Sequence, residues 1–461
     1  MPADIEEYDL VIIGTGSGNT IITPEFDSWK IAIIEKGVFG GTCLNRGCIP
    51  SKMLVHIANT IYEIETSETL GIEASVTSIR WRDIQERIFN RIDPISDSGE
   101  SYRLGLSNVT LYKGHARFLD NKKLEVGGKQ LVAKNIVIAT GAKPVLPEIP
   151  GLSETTFHTS DSIMRIDALP ESLVVIGGGY IATEMAHIFS SLGCKVTVIA
   201  RSGQLLKAQD GEISQMFTEA FINKVDVHLE THVELVAEDD DGRINITCST
   251  STGTISICSD MLLIATGRTP ASDDLNLVDT DISIKNGYIV TDAQMRTNVP
   301  GVFALGDVTN PNQLKHAANA EARIVSHNLI NSSTPIAVDL DPLPYAIFTN
   351  PQIAAVGATE EELVSLGTEY VKGCASYSHV AYGWAMENTD GFCKILADPE
   401  TGNILGAHIM GPHASTLIHQ LVQGMKFDQN IEDLARGMLY VHPALNEVVE
   451  NALLSACDAC R

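Results

Sequence analysis

One pattern occurs twice in this chain and restricts its fold more than any other feature. The apolar run Tyr8 to Ile13 leads directly into the turn Gly14-Thr15-Gly16-Ser17-Gly18-Asn19, and the next apolar run ends in an acid, Glu35. Further on, Leu173 to Ile176 leads into Gly177, Gly178 and Gly179; a helical stretch from Tyr180 follows, and the next apolar run ends in Ile199, Ala200 and Arg201. Strand, glycine turn, helix, strand is therefore predicted twice, the signature of a dinucleotide-binding unit in an α/β protein with Rossmann-like domains. In such a turn the first glycine makes the tight bend, the second lets backbone approach a pyrophosphate, and the third lets the helix pack on the strand. Gly14 and Gly16 fill the first two positions of the first copy, while Asn19 stands at the third, with Gly18 beside it expected to supply the room. The second copy offers Gly177, Gly179 and Ala182, and its helix is expected to present free N–H groups to a pyrophosphate.

The strand ends divide the two copies. Glu35 is placed to accept from ribose hydroxyls, whereas Arg201, with Lys207 close behind, suits a 2′-phosphate and favours NADPH over NADH. A solvated surface arginine is the alternative. Two matching segments, Ile136 to Pro144 and Leu262 to Pro270, each contain Ile-Ala-Thr-Gly and close the two units, with Gly141 and Gly267 as their glycines. Pro-rich crossings at 142–151 and near 340 set the expected boundaries. Nucleotide domains are expected at 1–149 and 150–269, a central domain at 270–338 and a C-terminal α+β domain at 339–461, where alternating strands precede helical patterning.

The formal net charge of −26 repels nucleic-acid phosphates and anionic lipid alike, so neither is an expected partner. No apolar run reaches the ~18 residues that span a bilayer, and the acidic start MPADIEEYDLVIIG is unlike a basic signal peptide. A cytoplasmic location is expected. Nine cysteines, an odd number scattered along the chain, argue against a structural disulfide framework.

Two close cysteine pairs remain. Cys43 and Cys48 lie in GGTCLNRGCIPSK, with Pro50 placed to open a helix just after Cys48. A thiolate near a helix N-terminus is stabilised by exposed N–H groups and here by Lys52, so a lowered pKa is expected for Cys48. Inert buried thiols or half of a zinc site are the alternatives. Zinc wants a second ligand cluster, none lies nearby, and no metal is expected. Cys457 and Cys460, in the terminal ACDACR, are either incidental or a second thiol pair.

In order along the chain, GTGSGN, GGTCLNRGCIPSK, IATG, GGGYIATE, IATG, FALGD and YVHPALNEVVE resemble the pyridine nucleotide-disulfide oxidoreductases, over essentially its whole length. The resemblance implies a glutathione-reductase-like fold: an FAD-binding domain, an NAD(P)-binding domain, a central domain completing the FAD site and a C-terminal dimerisation domain. It implies FAD and NADPH as cofactors and a redox disulfide in which Cys48 faces flavin and Cys43 faces substrate. Glu35 and Asp307 look like FAD contacts, with Gly41, Thr42 and Gly141 in the same site. Lys52 and Glu184 look like the ion pair beside the flavin. Tyr180 looks like the lid moved by the nicotinamide, with Glu184 and Gly267 on that NADPH side. His442, followed by Pro443 and Glu447, resembles the family's proton donor and its orienting acid, which serve the cysteine pair of the other subunit in a homodimer with shared active sites.

The substrate is less constrained. Thr20 to Trp29 lacks the arginine of glutathione reductases, and Ala200-Arg201 replaces the acid usual in dihydrolipoamide dehydrogenases. Arg91 to Arg103 and Val380 to Gly391 look most like the branch that reduces mycothione, the disulfide of mycothiol, although Tyr382 and Trp384 also suit an ordinary packed loop. A mercuric- or thioredoxin-reductase-like shuttle through Cys457 and Cys460, or a flavin-bearing subunit of a dehydrogenase complex, are the alternatives.

Overall fold

Strands rich in Ile, Val and Leu without polar alternation belong in the middle of a parallel sheet, covered on both faces. The computed structural model, which describes residues 5–460, has two such sheets, one in each of two compact units. The first unit comprises the chain to Pro50, Arg82–Val145 and Arg268–Leu340. Its seven-stranded sheet runs 109–113, 31–35, 5–13, 129–138, with 302–304 pairing in parallel on 129–138 and two antiparallel strands, 123–126 and 117–120, extending it. Alternate residues serve opposite faces: Val11, Ile13, Ala32 and Ile34 enter one core, Leu10, Ile12, Ile31 and Ile33 the other.

The helix expected after Gly16 does not form. In its place stand two 3-10 turns, Ser17–Thr20 and Pro24–Phe26. Four consecutive β-branched residues, Thr20 to Thr23, followed by a proline without an N–H, cannot meet the nucleation cost of a helix in so short a crossover.

The second unit comprises Ser51–Trp81, Leu146–Gly267 and the chain from Asp341. Its parallel sheet runs 226–228, 195–199, 172–176, 261–264, 158–159, with the helix Tyr180–Ser191 following the second glycine turn. A three-stranded antiparallel sheet, 232–238, 244–250 and 253–259, adjoins it in sequence. The C-terminal part is an antiparallel sheet in the order 345–347, 353–357, 404–410, 392–397, 371–376, and the helices 414–426 and 446–459 share its apolar core.

The other face of that sheet holds a charge. Lys394, between Cys374 and His408 across the ladder, is fully buried and paired with Asp210 at 2.9 Å, Glu212 at 3.1 Å and Glu360. Burial alone would push the ammonium's pKa down, but Glu360 and Asp210 outweigh it and hold it up. Asp210 precedes the helix Gly211–Phe221 and Glu360 begins the helix Glu360–Leu366, so one lysine ties both helix starts to one strand. Among the described residues no helix is long and apolar enough to cross a membrane, and no group of three or more His, Cys, Asp or Glu is placed to hold a metal ion.

Candidate active site

The two glycine turns are built alike. Gly14 N–H donates to Ile34 O at 2.8 Å, and Gly177 N–H to Ile199 O at 2.9 Å. Both glycines have positive φ, 101° and 140°, and a Cβ would lie 2.4 Å from Ala139 O in the first and 2.2 Å from Ala265 O in the second. Those alanines belong to the repeated Ile-Ala-Thr-Gly segments. The two motifs that recur in the sequence are thus the two sides of a single close backbone approach, made twice.

In the first copy Gly18 takes over the packing task, since a Cβ there would fall 2.7 Å from Ala139 Cβ. Gly41 passes so close to Gly16 that a Cβ on it would lie 2.6 Å from the Gly16 Cα. Glu35, at its strand end, accepts from Thr15 N and Oγ1 (2.9 and 2.5 Å) and from Gly37 N (2.8 Å), which fixes its carboxylate at the turn. Asp307 lies in the 3-10 turn after the strand 302–304. Burial pushes its pKa up, against the pull of Arg268 and Lys315. A wall of backbone without side chains, a fixed carboxylate at Glu35 and a second, largely buried carboxylate at Asp307 fit the pyrophosphate and hydroxyls of FAD. Gly141, with positive φ and open space around its Cβ position, and Thr42, in the short helix Gly41–Arg46, belong to the same unit.

Sequence reasoning missed several residues here. Lys315 Nζ donates to Ser17 Oγ (2.8 Å), which in turn donates to Asn319 Oδ1 (3.0 Å), and Arg103 grips Asn19. The signal for Lys315 and Asn319 was available in the polar residues of the Ala-rich helix Lys315–Ile330; nothing local marked Arg103.

In the second copy a twelve-residue helix follows, its N-cap Gly179 has no capping side chain, and a Cβ there would meet nothing within 4 Å. The first N–H groups are therefore open to an anion. Ala182 is fully buried against the sheet. Arg201 and Lys207 are exposed, and Leu206 N–H donates to Gly178 O at 2.7 Å, which draws their loop to the turn. Gly267 has positive φ with open space beside it.

Cys43 and Cys48 form a disulfide with a Cα–Cα distance of 4.6 Å. Gly47 separates their helices, where a Cβ would press on Thr42 O at 3.0 Å. The second helix, Cys48–Glu65, opens at Cys48 itself rather than after it; Pro50 is tolerated because the first turn needs no intrahelical N–H bonds. Four residues past Cys48, Lys52 Nζ lies 2.6 Å from Glu184 Oε2 and 4.8 Å from the Phe348 ring centre. Glu184 Oε1 accepts from Phe348 N at 2.9 Å, so a carboxylate only 5% exposed is satisfied on both oxygens. Tyr180 stands one turn before Glu184 on the same helix and is half-exposed.

In the C-terminal part, His442 Nδ1–H donates to Glu447 Oε1 at 2.7 Å, and Glu447 Oε2 accepts from Ala444 N at 3.1 Å. The hydrogen bond from His442 holds the Glu447 carboxyl below its ordinary pKa. With Nδ1 so engaged, Nε2 is the nitrogen left for chemistry. The ring is 72% exposed, and Met438, Leu439 and Val441 just before it are exposed apolar residues, Leu439 almost completely.

The other cysteine pair differs. Cys457 is buried, which pushes its thiol up to about 11; Cys460 is exposed, and both are free. A protonated, buried thiol is a poor electron shuttle. Tyr382 and Trp384 are exposed on the short helix Ala381–Ala385, where Trp384 Nε1 donates to Ser378 O at 2.6 Å.

Two nucleotide turns, a cysteine disulfide and a carboxylate-bound histidine define a flavoprotein disulfide reductase. Residues 8–323 match the family model for pyridine nucleotide-disulphide oxidoreductases, and residues 343–453 match that family's dimerisation domain. The chain belongs to this family, and its cofactors are FAD and a reduced pyridine nucleotide. It is 44% identical to a mycothione reductase of Mycobacterium tuberculosis, over 98% of this chain and 99% of that protein. A dihydrolipoyl dehydrogenase of Haloarcula marismortui is 32% identical, over 97% of this chain and 96% of the relative. Among solved structures, the HOCl-induced flavoprotein disulfide reductase RclA from Escherichia coli matches with a TM-score of 0.84 and 27% identity, over 97% of this chain and 99% of that one.

Proposed function

We propose that the chain is an NADPH-dependent reductase of mycothione, acting as a homodimer with shared active sites. The observation that carries this reading is the 44% identity to mycothione reductase, against 32% to the dihydrolipoyl dehydrogenase. Residues 1–149 and 270–338 are assigned to FAD, 150–269 to NADPH and 339–461 to dimerisation. FAD is held by Gly14, Gly16, Gly18, Glu35, Gly41, Thr42, Gly141 and Asp307, with Lys52 supplying positive charge fixed by Glu184. NADPH is held by Gly177, Gly179, Gly267, Arg201 and Lys207, with Tyr180 and Glu184 facing the nicotinamide.

When bound, FAD would supply two-electron transfer between the nicotinamide and the Cys43–Cys48 disulfide, which leaves both cysteines as thiolates. The Cys43 thiolate then attacks one sulfur of the substrate disulfide, forming a mixed disulfide and expelling the first thiolate. His442 of the partner subunit protonates that leaving group, oriented by Glu447 through Nδ1. The Cys48 thiolate attacks the Cys43 sulfur in turn, which restores the disulfide and expels the second thiolate, protonated by His442 once it has regained a proton from solvent.

NADPH oxidation measured in parallel against mycothione, glutathione disulfide, lipoamide, thioredoxin and mercuric ion tests the reading. Mycothione should exceed every other acceptor in kcat/KM by about a hundredfold or more, the discrimination a site built for polar substrate groups reaches. Equal turnover of lipoamide, or a preference for NADH, overturns it. Because Ala456 and Cys457 lie in the C-terminal core, truncation is not a clean test of the tail; replacing Cys457 and Cys460 by alanine should leave the activity intact.

A further inference from the structure

The turn after Gly16 carries an anomaly of charge. Arg103, near the end of the helix Trp81–Leu104, is 7% exposed, and both of its hydrogen bonds run to one residue. Nε donates to Asn19 Oδ1 at 2.8 Å and Nη2 to Asn19 O at 2.7 Å. The ring of Tyr102 lies 5.3 Å from its guanidinium carbon. Among the described residues no carboxylate pairs with it, although the chain carries 58 acids against 32 basic residues. A guanidinium does not deprotonate in a protein, and buried charges are otherwise paired. The unmatched charge therefore points to an anion that the polypeptide does not itself provide.

Its position says which one. Asn19 stands where the dinucleotide fingerprint has its third glycine, in a four-residue 3-10 turn that lacks the aligned peptide dipoles of a long helix. A second cation holds the other end of the same turn, Lys315 through Ser17 Oγ at 2.8 Å. Ser17–Thr20 is thus gripped by cations at both ends, and among the described residues no acid hydrogen-bonds to it. We propose that Arg103 is a positioning residue for the diphosphate of FAD, locking Asn19 and, with Lys315, giving this turn the positive potential that the helix Tyr180–Ser191 gives the other; this rests on reading Gly14–Gly18 as the FAD turn. The diphosphate is the counter-anion that Arg103 lacks.

Full-length holoenzyme carrying Arg103→Gln, Arg103→Lys or Asn19→Asp tests this, with FAD release followed by recovery of flavin fluorescence at low and high salt. Arg103→Gln should weaken FAD binding about tenfold or more and flatten its salt dependence, while Arg103→Lys, which keeps the charge but not the two-pronged grip on Asn19, should keep the salt dependence and lose only part of the affinity. Asn19→Asp discriminates most sharply, and it serves where Arg103→Gln fails to fold. It places a carboxylate on the guanidinium, so a clamp of purely structural value would hold as well or better, whereas the proposal requires weaker FAD binding and a shallower salt response. Unchanged FAD dissociation and salt response in Arg103→Gln or Asn19→Asp overturns the proposal, whatever happens to the melting temperature. Gly16→Val separates the two levels: if it retains FAD at wild-type strength, the turn itself has been misread, independently of Arg103.

Discussion

The two glycine turns share a backbone and differ in what stands behind it. Each rests its first glycine on the carbonyl of an Ile-Ala-Thr-Gly alanine, Ala139 or Ala265. Beyond that point one continues into a twelve-residue helix with an open N-terminus, and the other into a 3-10 turn held by two side-chain cations. Helix dipoles are a property of the backbone and survive most substitutions; a guanidinium does not survive its own replacement. On the proposed assignment the same ligand class would be met at the Gly177 turn by architecture and at the Gly14 turn by particular residues, which would make the Gly14 turn the more fragile to single changes.

The largest effect should come from a change that touches neither turn. His442→Gln is expected to lower disulfide reduction by about 10²–10⁴-fold while flavin content and NADPH oxidation by an artificial acceptor stay unchanged. Loss of flavin from that variant would mean that the C-terminal part contributes to a nucleotide site after all. Gly14→Ala and Gly177→Ala come next, each destabilising by about 2–4 kcal/mol through strain and overpacking. Flavin retention should suffer in the first and the KM for NADPH in the second; identical phenotypes in the two would erase the distinction between the turns. Arg201→Ala should raise the KM for NADPH by about 10–100-fold and leave that for NADH within about twofold. At the third fingerprint position, Gly18→Ala should destabilise by about 1–3 kcal/mol, because its Cβ meets Ala139, whereas Ala182→Gly costs about 1 kcal/mol in helix propensity, both readable by chemical denaturation.

The smallest effect concerns pH. Glu447 is held below its ordinary carboxyl value of 4.5, chiefly by the hydrogen bond from His442. Its contribution to stability is complete above about that value and is lost as the pH falls through the lowered one. With His442 largely exposed, solvent screening keeps the contribution well under about 1 kcal/mol. His442→Gln should remove that acid-limb slope from the denaturation midpoint, and an unchanged slope would assign it to another carboxylate.

What the sequence made legible was local or periodic. Glycine spacing, strand-end acids and the span from Cys43 to Cys48 announce themselves because the chemistry sits within one turn or one strand of its motif. The absent first helix was decided by Thr20 to Thr23 and Pro24, residues visible in the sequence but overshadowed by the fingerprint. Arg103 and Lys394 were not legible at all. Arg103 meets Asn19 across 84 residues of chain and Lys394 meets Asp210 across 184, so each reads locally as an ordinary surface cation. Lys394 even alternates with Cys393 and Ile395 as a solvent-facing residue would, and only the fold reveals that its face is covered.

Lys394 also bears on how this protein can be recombined. Nucleotide-binding segments of related reductases invite exchange between proteins, yet Asp210 and Glu212 would travel with such a segment while Lys394 and Glu360 stayed behind. A chimera whose donor lacks those acids would seal a lone ammonium inside the C-terminal sheet. Grafts that move both sides of the contact, or that replace Lys394 with methionine at the same time, are the ones that should yield folded protein.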